Sequence, residues 1–292
     1  MVGLQRVVGS DLTAIVNTGD DTEIYGVHVS PDVDIVTYWL AGVADTVRGW
    51  GIRGDTFTVI DAMRSLGRDT WFSLGDRDFA TCLYRTERLA SGATSSEVTA
   101  EIAGRLGVEA TIMPMSDDEV ATRIVTADGR TLEFQEYFVK ERCEPEVREV
   151  RFAGISDADP APGVLAHIEQ AERVILCPSN PLLSIGPILA IKGVRAALRA
   201  HRLVMAVSPI INGAALKGPA DRILKSTGHS SSASAVARLY EDFIDVFVVD
   251  ATDPEEAAKV EAGDIRALLT DTVMTDHDAS ERLARTLLSW TP

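Results

Sequence analysis

The sequence predicts an α/β protein: a Rossmann-like, largely parallel sheet with helices on both faces, plus a small antiparallel hairpin region. Short apolar runs suited to buried strands recur along the chain, and most lead into stretches with apolar residues at helical spacing. Strands alternating with helices make βαβ units, and hence parallel pairing. One segment breaks the rhythm with period-two alternation about an Asp-Gly pair.

In chain order, Leu12 to Val16 is the first candidate strand, and Ile35 to Leu40 and Thr56 to Leu66 carry helical patterns. Trp71 to Leu74 is the next strand, Ser96 to Leu106 a helix and Thr111 to Met115 a further strand. Arg123 to Val139 reads as two alternating runs joined by a type I′ turn at Asp128-Gly129, and Glu146 to Phe152 follows as another run. Ser156 to Gly163, with two Asp and two Pro, reads as a linker. Strands at Val174 to Cys177, Leu203 to Val207 and Val246 to Val249 then alternate with helices at Val194 to His201 and Ser234 to Phe243. The chain thus divides into an α/β core of residues 1–118 and 160–292 and an antiparallel insertion with linker at 119–159.

Charge narrows the choice of partner. With 28 Lys and Arg against 44 Asp and Glu, the net charge is −16, which argues against nucleic acid and against an anionic membrane. No apolar run approaches the roughly 18 to 20 residues that span a bilayer. The opening MVGLQRVVGSDL lacks the apolar region of a signal peptide, so the expectation is a cytoplasmic protein. Cys82, Cys143 and Cys177 are scattered and show no C-x-x-C spacing, which suggests neither a disulfide framework nor a zinc site.

The strand ends carry the chemistry. Leu12 to Val16 runs into Asn17-Thr18-Gly19-Asp20-Asp21, Trp71 to Leu74 into Gly75-Asp76-Arg77-Asp78, and Thr111 to Met115 into Ser116-Asp117-Asp118. Ligands of open α/β sheets bind beyond the carboxyl ends of the strands, so three acidic clusters are expected to converge there. Gathered carboxylates repel unless a cation sits among them, and oxygen donors suit Mg2+ bridging phosphates. The plain alternative for any one cluster is a helix N-cap. Asp32 and Asp34, in Ser30-Pro31-Asp32-Val33-Asp34, lie in a loop that can fold over the same crevice, although Asp32 can equally be a cap. Arg77, between Asp76 and Asp78, is a candidate for gripping a phosphate or carboxylate through its two-pronged guanidinium.

The second half of the edge differs in kind. Pro178-Ser179-Asn180-Pro181, Ser184 to Pro187, Ser208-Pro209 and Lys217-Gly218-Pro219-Ala220 offer hydroxyls, an amide, backbone N–H groups and a cation, which is anion-binding chemistry if these loops are more than turns. Neither G-x-G-x-x-G nor G-x-x-x-x-G-K-[ST] is present, so the ordinary dinucleotide and P-loop sites are unsupported, and a nucleophile elbow is also missing. Of the histidines, only His28 lies between two acidic motifs; Trp39, Trp50 and Trp71 are first read as core residues.

The series VNTGDD (16–21), SPDVD (30–34), GDRD (75–78), PMSDD (114–118), FQEYFV (134–139), PSNPLLSIGPIL (178–189), VSPI (207–210) and KGPA (217–220) resembles the 2-phospho-L-lactate transferases of coenzyme F-420 biosynthesis. The resemblance runs in order over nearly the whole chain. It implies transfer of a three-carbon acid (2-phospholactyl, phosphoenolpyruvyl or similar), activated as its guanosine-diphosphate ester, to the hydroxyl of the deazaflavin Fo, with release of GMP and with Mg2+ as helper. It further implies a homodimer. On this reading Asp20, Asp21 and Asp34 hold the metal, with Asp20, Asp21 and Arg77 catalytic. Asp32, Asp34, Arg77 and Asp78 meet the deazaflavin, and Asp117, Ser179, Asn180, Ser184, Ser208 and Lys217 meet the nucleotide. The sequence departs from the family pattern in beginning where the family's first helix is ending, so that the family's opening strand and G-G-x-G loop are not in it. Two other readings compete. One is a non-catalytic nucleotide-sugar-binding regulator of the gluconeogenesis-factor type, which usually follows its first acidic pair with glycine and serine where Thr22-Glu23 stands here. The other is an NAD-type oxidoreductase, whose fingerprint is missing.

Overall fold

The computed structural model describes residues 1–263 and 265–291, and in it the parallel strands form two sheets where one was expected. The N-terminal part runs from helix α1 (Val2–Val8) to strand β1 (Thr13–Val16), a hairpin of β2 (Thr22–Ile24) and β3 (Val27–Val29), helices α2 (Pro31–Leu40), α3 (Thr58–Ser65), α4 (Asp76–Ala90) and α5 (Ser95–Arg105), and strand β4 (Thr111–Pro114). β1 pairs in parallel with β4, from Thr13 opposite Thr111 to Val16 opposite Pro114. Successive side chains serve opposite faces: Ala14, Val16 and Ile112 pack on Val33, Val36 and Leu40 of α2, whereas Ile15 and Met113 join the main core. Pro31 opens α2 with its φ already suited to a helix, and Asp32 and Asp34 sit in the first turn, where the helix dipole favours anions. A reciprocal Thr94–Glu97 capping box starts α5.

Trp71 to Leu74 is not a strand. The backbone of Phe72 is satisfied by a side chain instead of a neighbouring strand: its N–H donates to the Tyr25 hydroxyl (3.0 Å), which donates in turn to the Phe72 carbonyl (3.1 Å). Trp71, Phe72 and Leu74 plug a satellite core with Ile24, Val27, Val29 and Ile60. A four-residue run with three apolar side chains and Ser73 carries no periodicity that separates these two fates.

Strands β5 (Ala121–Thr126), β6 (Thr131–Glu133) and β7 (Val147–Ala153) make an antiparallel sheet in the order β6-β5-β7. Of the Asp128-Gly129 pair only Gly129 has positive φ (89°), so the turn is not type I′. Asp128 instead accepts hydrogen bonds from Thr126 and Arg130. The expected second run stops at Glu133, and Glu136–Lys140 coils into a π-helical turn. Phe134 and Phe138 stack there with ring centres 5.5 Å apart, while Tyr137 is buried. Four-residue spacing of these rings matches a helical turn and outweighs the alternation.

The remainder comprises α6 (Val164–Gln170), β8 (Val174–Leu176), α7 (Ile185–Ala190), α8 (Val194–Ala200), β9 (Val204–Val207), a two-residue hairpin of β10 (Ile210–Ile211) and β11 (Ala214–Ala215), α9 (Ala220–Ser226), α10 (Ala233–Leu239), β12 (Val246–Asp250), α11 (Pro254–Glu261), β13 (Arg266–Thr270) and α12 (His277–Ser289). β13-β12-β9-β8 form an all-parallel sheet. Val204, Ala206, Phe247 and Val249 face helices α6, α8, α10 and α11, whereas Met205, Val207, Val246 and Val248 face Leu283 and Leu287 of α12. Both faces are therefore covered, which is why these strands read as unbroken apolar runs. β13 was not foreseen, because Arg266 and the half-exposed Leu269 interrupt its apolar character. Among the described residues no helix is long and apolar enough to cross a membrane.

Candidate active site

Beyond the carboxyl ends of these strands lies a cavity of about 1050 Å³. One wall is acidic, formed by Asp20, Asp32, Asp34 and Asp78; the facing wall carries Ser179, Asn180, Ser184, Ser208 and Lys217. Trp50, Phe72, Phe134 and Phe138 supply flat apolar surface between them.

The acidic wall is built by the loop after β1. Asn17 Oδ1 accepts the Gly19 N–H at 2.8 Å, and its Nδ2 donates to Asp20 Oδ1 (3.3 Å) and to Asp32 Oδ2 (3.0 Å). A Cβ at Gly19 would lie 2.8 Å from Thr122 Oγ1 and 3.0 Å from Asn17 Oδ1, so the close approach of β5 requires glycine there. Asp21 sits behind Asp20; its Oδ2 accepts from Ser30 Oγ (2.7 Å) and meets His28 Nε2 (3.1 Å), while its Oδ1 is buried without a partner. Burial pushes the Asp20 carboxyl well above the usual carboxylate range, and the neighbouring Asp32 and Asp21 push it the same way. Burial likewise raises Asp32 to about 6, against the opposing hydrogen bond from Asn17. Among the described residues no Lys or Arg pairs with either carboxylate.

Asp34 has a different partner. Its two oxygens are gripped by Arg85 of α4, both side chains being buried, so this carboxylate is already neutralised by the chain itself. Asp78 accepts the Tyr38 hydroxyl at 2.8 Å, and burial followed by the charge of Asp34 raises it to about 7.

Much of the remaining acidic signal resolves into caps. Asp76 accepts from Thr56 Oγ1 (2.6 Å) and from the Thr58 and Val59 N–H groups (3.1 and 2.9 Å), and Asp55 does the same for the N–H groups of Arg77 and Asp78. Arg77 is exposed, in the first turn of α4, and is not part of the cavity wall. Asp117 likewise caps α5 through Ser96, with both contacts at 2.7 Å, and stands outside the wall.

On the facing wall many polar groups are engaged locally. The N–H groups of Ser184 and Ile185 both donate to the Asn180 carbonyl at 3.0 Å, and Asn180 Oδ1 accepts from Leu182 and Leu183. Ser208 closes a turn on Ile210. Among the groups that stay open are Asn180 Nδ2, buried without a partner, and Lys217, the one cationic side chain among the described residues that line the cavity. Thr272 to Met274 complete the rim, and Asp250 anchors Thr272 by accepting both its N–H and its hydroxyl at 2.9 Å.

Sequence reasoning missed Asn17, Gln135 and Arg85. The first two are neutral amides inside motifs rich in acids and aromatics, and Arg85 lies on α4, a helix that the sequence reading did not assign. Trp50 was read as core but is 41% exposed on the cavity wall, flanked by Gly49 and Gly51 with positive φ.

A family profile described as 2-phospho-L-lactate transferase CofD matches residues 1–289. The chain belongs to the 2-phospho-L-lactate transferase family. It is 40% identical over 283 residues to the 2-phospho-L-lactate transferase of Methanosarcina mazei, covering 97% of this chain and 93% of that one. It is 41% identical over 290 residues to the phosphoenolpyruvate transferase of Streptomyces griseus, covering 97% and 91%. This member of the family is therefore an enzyme, a transferase of coenzyme F-420 biosynthesis, and the regulator and oxidoreductase readings give way. The fold matches a crystal structure of a UPF0052-family protein from Bacillus halodurans with a TM-score of 0.67 over 99% of this chain and 94% of that one, at 14% identity. At that identity the likeness speaks for the architecture alone.

Proposed function

We propose that this transferase joins a three-carbon acid, activated as its guanosine-diphosphate ester, to the side-chain hydroxyl of the deazaflavin Fo, releasing GMP with the help of Mg2+. The observation that carries the reading is a single cavity with unpaired, buried carboxylates on one wall, an open lysine and amide on the other, and aromatic surface between. Relatives named for the 2-phospho-L-lactate and for the phosphoenolpyruvate reaction match equally well, at 40% and 41% identity, so the reading is stated for the class of acid.

The donor set fits the metal. Asp20 and Asp32 converge with no cationic side chain paired to either, and Asp21 Oδ1 is buried and orphaned, an arrangement that a hard divalent ion relieves. Asp20 and Asp32 would hold it, with Asp21 behind them, while Asp34 holds Arg85. When bound, Mg2+ draws charge off the diphosphate and stabilises the leaving nucleotide. The chain supplies positioning. Lys217 Nζ and Asn180 Nδ2 meet the diphosphate, the rings of Trp50, Phe134 and Phe138 receive the deazaflavin, and the Asp78 carboxyl accepts a side-chain hydroxyl. The same reading includes a cytoplasmic location and a homodimer, and sedimentation of the purified chain checks the dimer.

Incubation of the chain with Fo, Mg2+ and the guanosine-diphosphate ester should release GMP in step with a new deazaflavin adduct seen by mass spectrometry. GMP release that does not depend on Fo, or no release at all, would overturn the reading.

A further inference from the structure

Asn17 closes β1's loop and is itself 4% exposed. Its carbonyl oxygen ties the loop through the Gly19 N–H, and its amide nitrogen reaches carboxylates from two different elements, Asp20 in the loop and Asp32 in the first turn of α2. A carboxamide has two N–H donors, and here each is assigned to one carboxylate. We propose that Asn17 is a positioning residue that sets the spacing of the Asp20–Asp32 pair and thereby makes the site prefer a small divalent cation to a larger one. The inference rests on the reading of Asp20 and Asp32 as the cation-holding pair.

Asp20 is buried and Asp32 half-buried, and two such carboxylates repel more strongly than in open water. A neutral donor ties them without adding a positive charge of its own. The contrast with Asp34 is direct: there a guanidinium makes the tie and cancels the charge. Gln135 is the other buried amide near Asp20, but its Nε2 lies 3.4 Å from Asp20 Oδ2 and 3.5 Å from the Asp20 carbonyl, and it does not reach Asp32. Asn17 is thus the one amide hydrogen-bonded to both carboxylates among the described residues. Mg2+ demands near-octahedral oxygens at about 2.0–2.1 Å, whereas Ca2+ accepts six to eight at about 2.3–2.6 Å in looser arrangements. Fixing the pair therefore favours the smaller ion, and releasing it costs Mg2+ more than Ca2+. Hydrogen-bond partners of metal ligands typically carry about 10–100-fold in metal affinity.

The experiment measures Mn2+ binding by electron paramagnetic resonance on the full chain, with displacement by Mg2+ and by Ca2+. Asn17→Ala removes both the tie and the Gly19 acceptor. Asn17→Ser keeps an uncharged acceptor for the Gly19 N–H and is too short to tie both carboxylates, so it decides the matter if the alanine variant fails to melt cooperatively. Either folded variant should narrow the Mg2+ over Ca2+ preference by about tenfold or more. An unchanged preference in a folded Asn17→Ser protein would overturn the proposal. Asp32→Asn separates the two levels of inference. Loss of Mn2+ binding there, together with unchanged preference in the Asn17 variants, removes only the positioning role; full Mn2+ binding by Asp32→Asn removes the cation reading and this proposal with it.

Discussion

The two walls of the cavity hold polar groups in opposite ways. On the β1 side, carboxylates are carried into a buried place and tied by amides, so their charge stays uncompensated and their proton affinity rises. On the β8 side, the Ser208 hydroxyl and the N–H groups of Leu182 to Ile185 are engaged locally, while Lys217 and Asn180 Nδ2 stay open. The first wall stores electrostatic strain that a ligand can relieve; the second is relaxed before any ligand arrives. Substitutions should therefore act on cation binding and turnover at one wall and on nucleotide binding at the other.

The largest effect expected is at Asp20. Asp20→Asn removes a carboxylate from the strained wall, and turnover should fall on the order of 10³-fold, about 4 kcal/mol of transition-state stabilisation, with the melting temperature unchanged or raised. Near-normal kinetics at saturating Mg2+ would erase the distinction between the walls. Next comes Arg85→Met, which leaves Asp34 buried and alone; unfolding free energy should drop by about 3 kcal/mol in a urea titration. A drop below about 1 kcal/mol would mean that Asp34 shares the relief available to Asp20 and Asp32. At the relaxed wall, Lys217→Ala should weaken GDP more than GMP, by about 1 to 3 kcal/mol in calorimetry, and leave Mn2+ binding unchanged. Equal loss for both nucleotides would place Lys217 away from the terminal phosphate.

The smallest effect is one of pH. The folded pKa of Asp32 is about 6 and that of Asp78 about 7, both above the ordinary value of 3.8, so between 3.8 and those values the folded state binds more protons than the unfolded chain. Their ionisation therefore costs stability as pH rises through 6 to 7, and the cost is absent below about 4. On the proposed reading, Mg2+ would take the place of the lost protons on the acidic wall. It should raise the melting temperature by a few degrees at pH 7.5 and by less at pH 5. An equal rise at both pH values would show that the ion binds elsewhere.

How much of this the sequence discloses follows from what each residue does locally. Strands such as Val246–Asp250 are legible because burial on both faces makes them unbroken apolar runs. Trp71 to Leu74 carries the same signal for another reason, since a side-chain hydroxyl takes the part of the neighbouring strand. Acidic clusters mislead in a comparable way. Asp20 and Asp32 stand on the cavity wall, but Asp76 and Asp117 cap helices, and an aspartate after a turn looks the same in either role. What decides between them is burial and the partner across space: Asn17 bridging fifteen positions, Arg85 reaching back fifty-one, Gln135 arriving from an insertion 115 residues on.

That insertion touches the β1 loop twice, through the Thr122 N–H on the Gly19 carbonyl and through Gln135 on Asp20. The same short stretch that bears Phe134 and Phe138 thus also braces the acid that faces them. An engineer who grafts another relative's hairpin to admit a different aromatic acceptor would retune the carboxylates in the same operation. On the proposed reading, acceptor breadth and ion requirement would be inherited together in this architecture, and a chimera that changes one should be assayed for both.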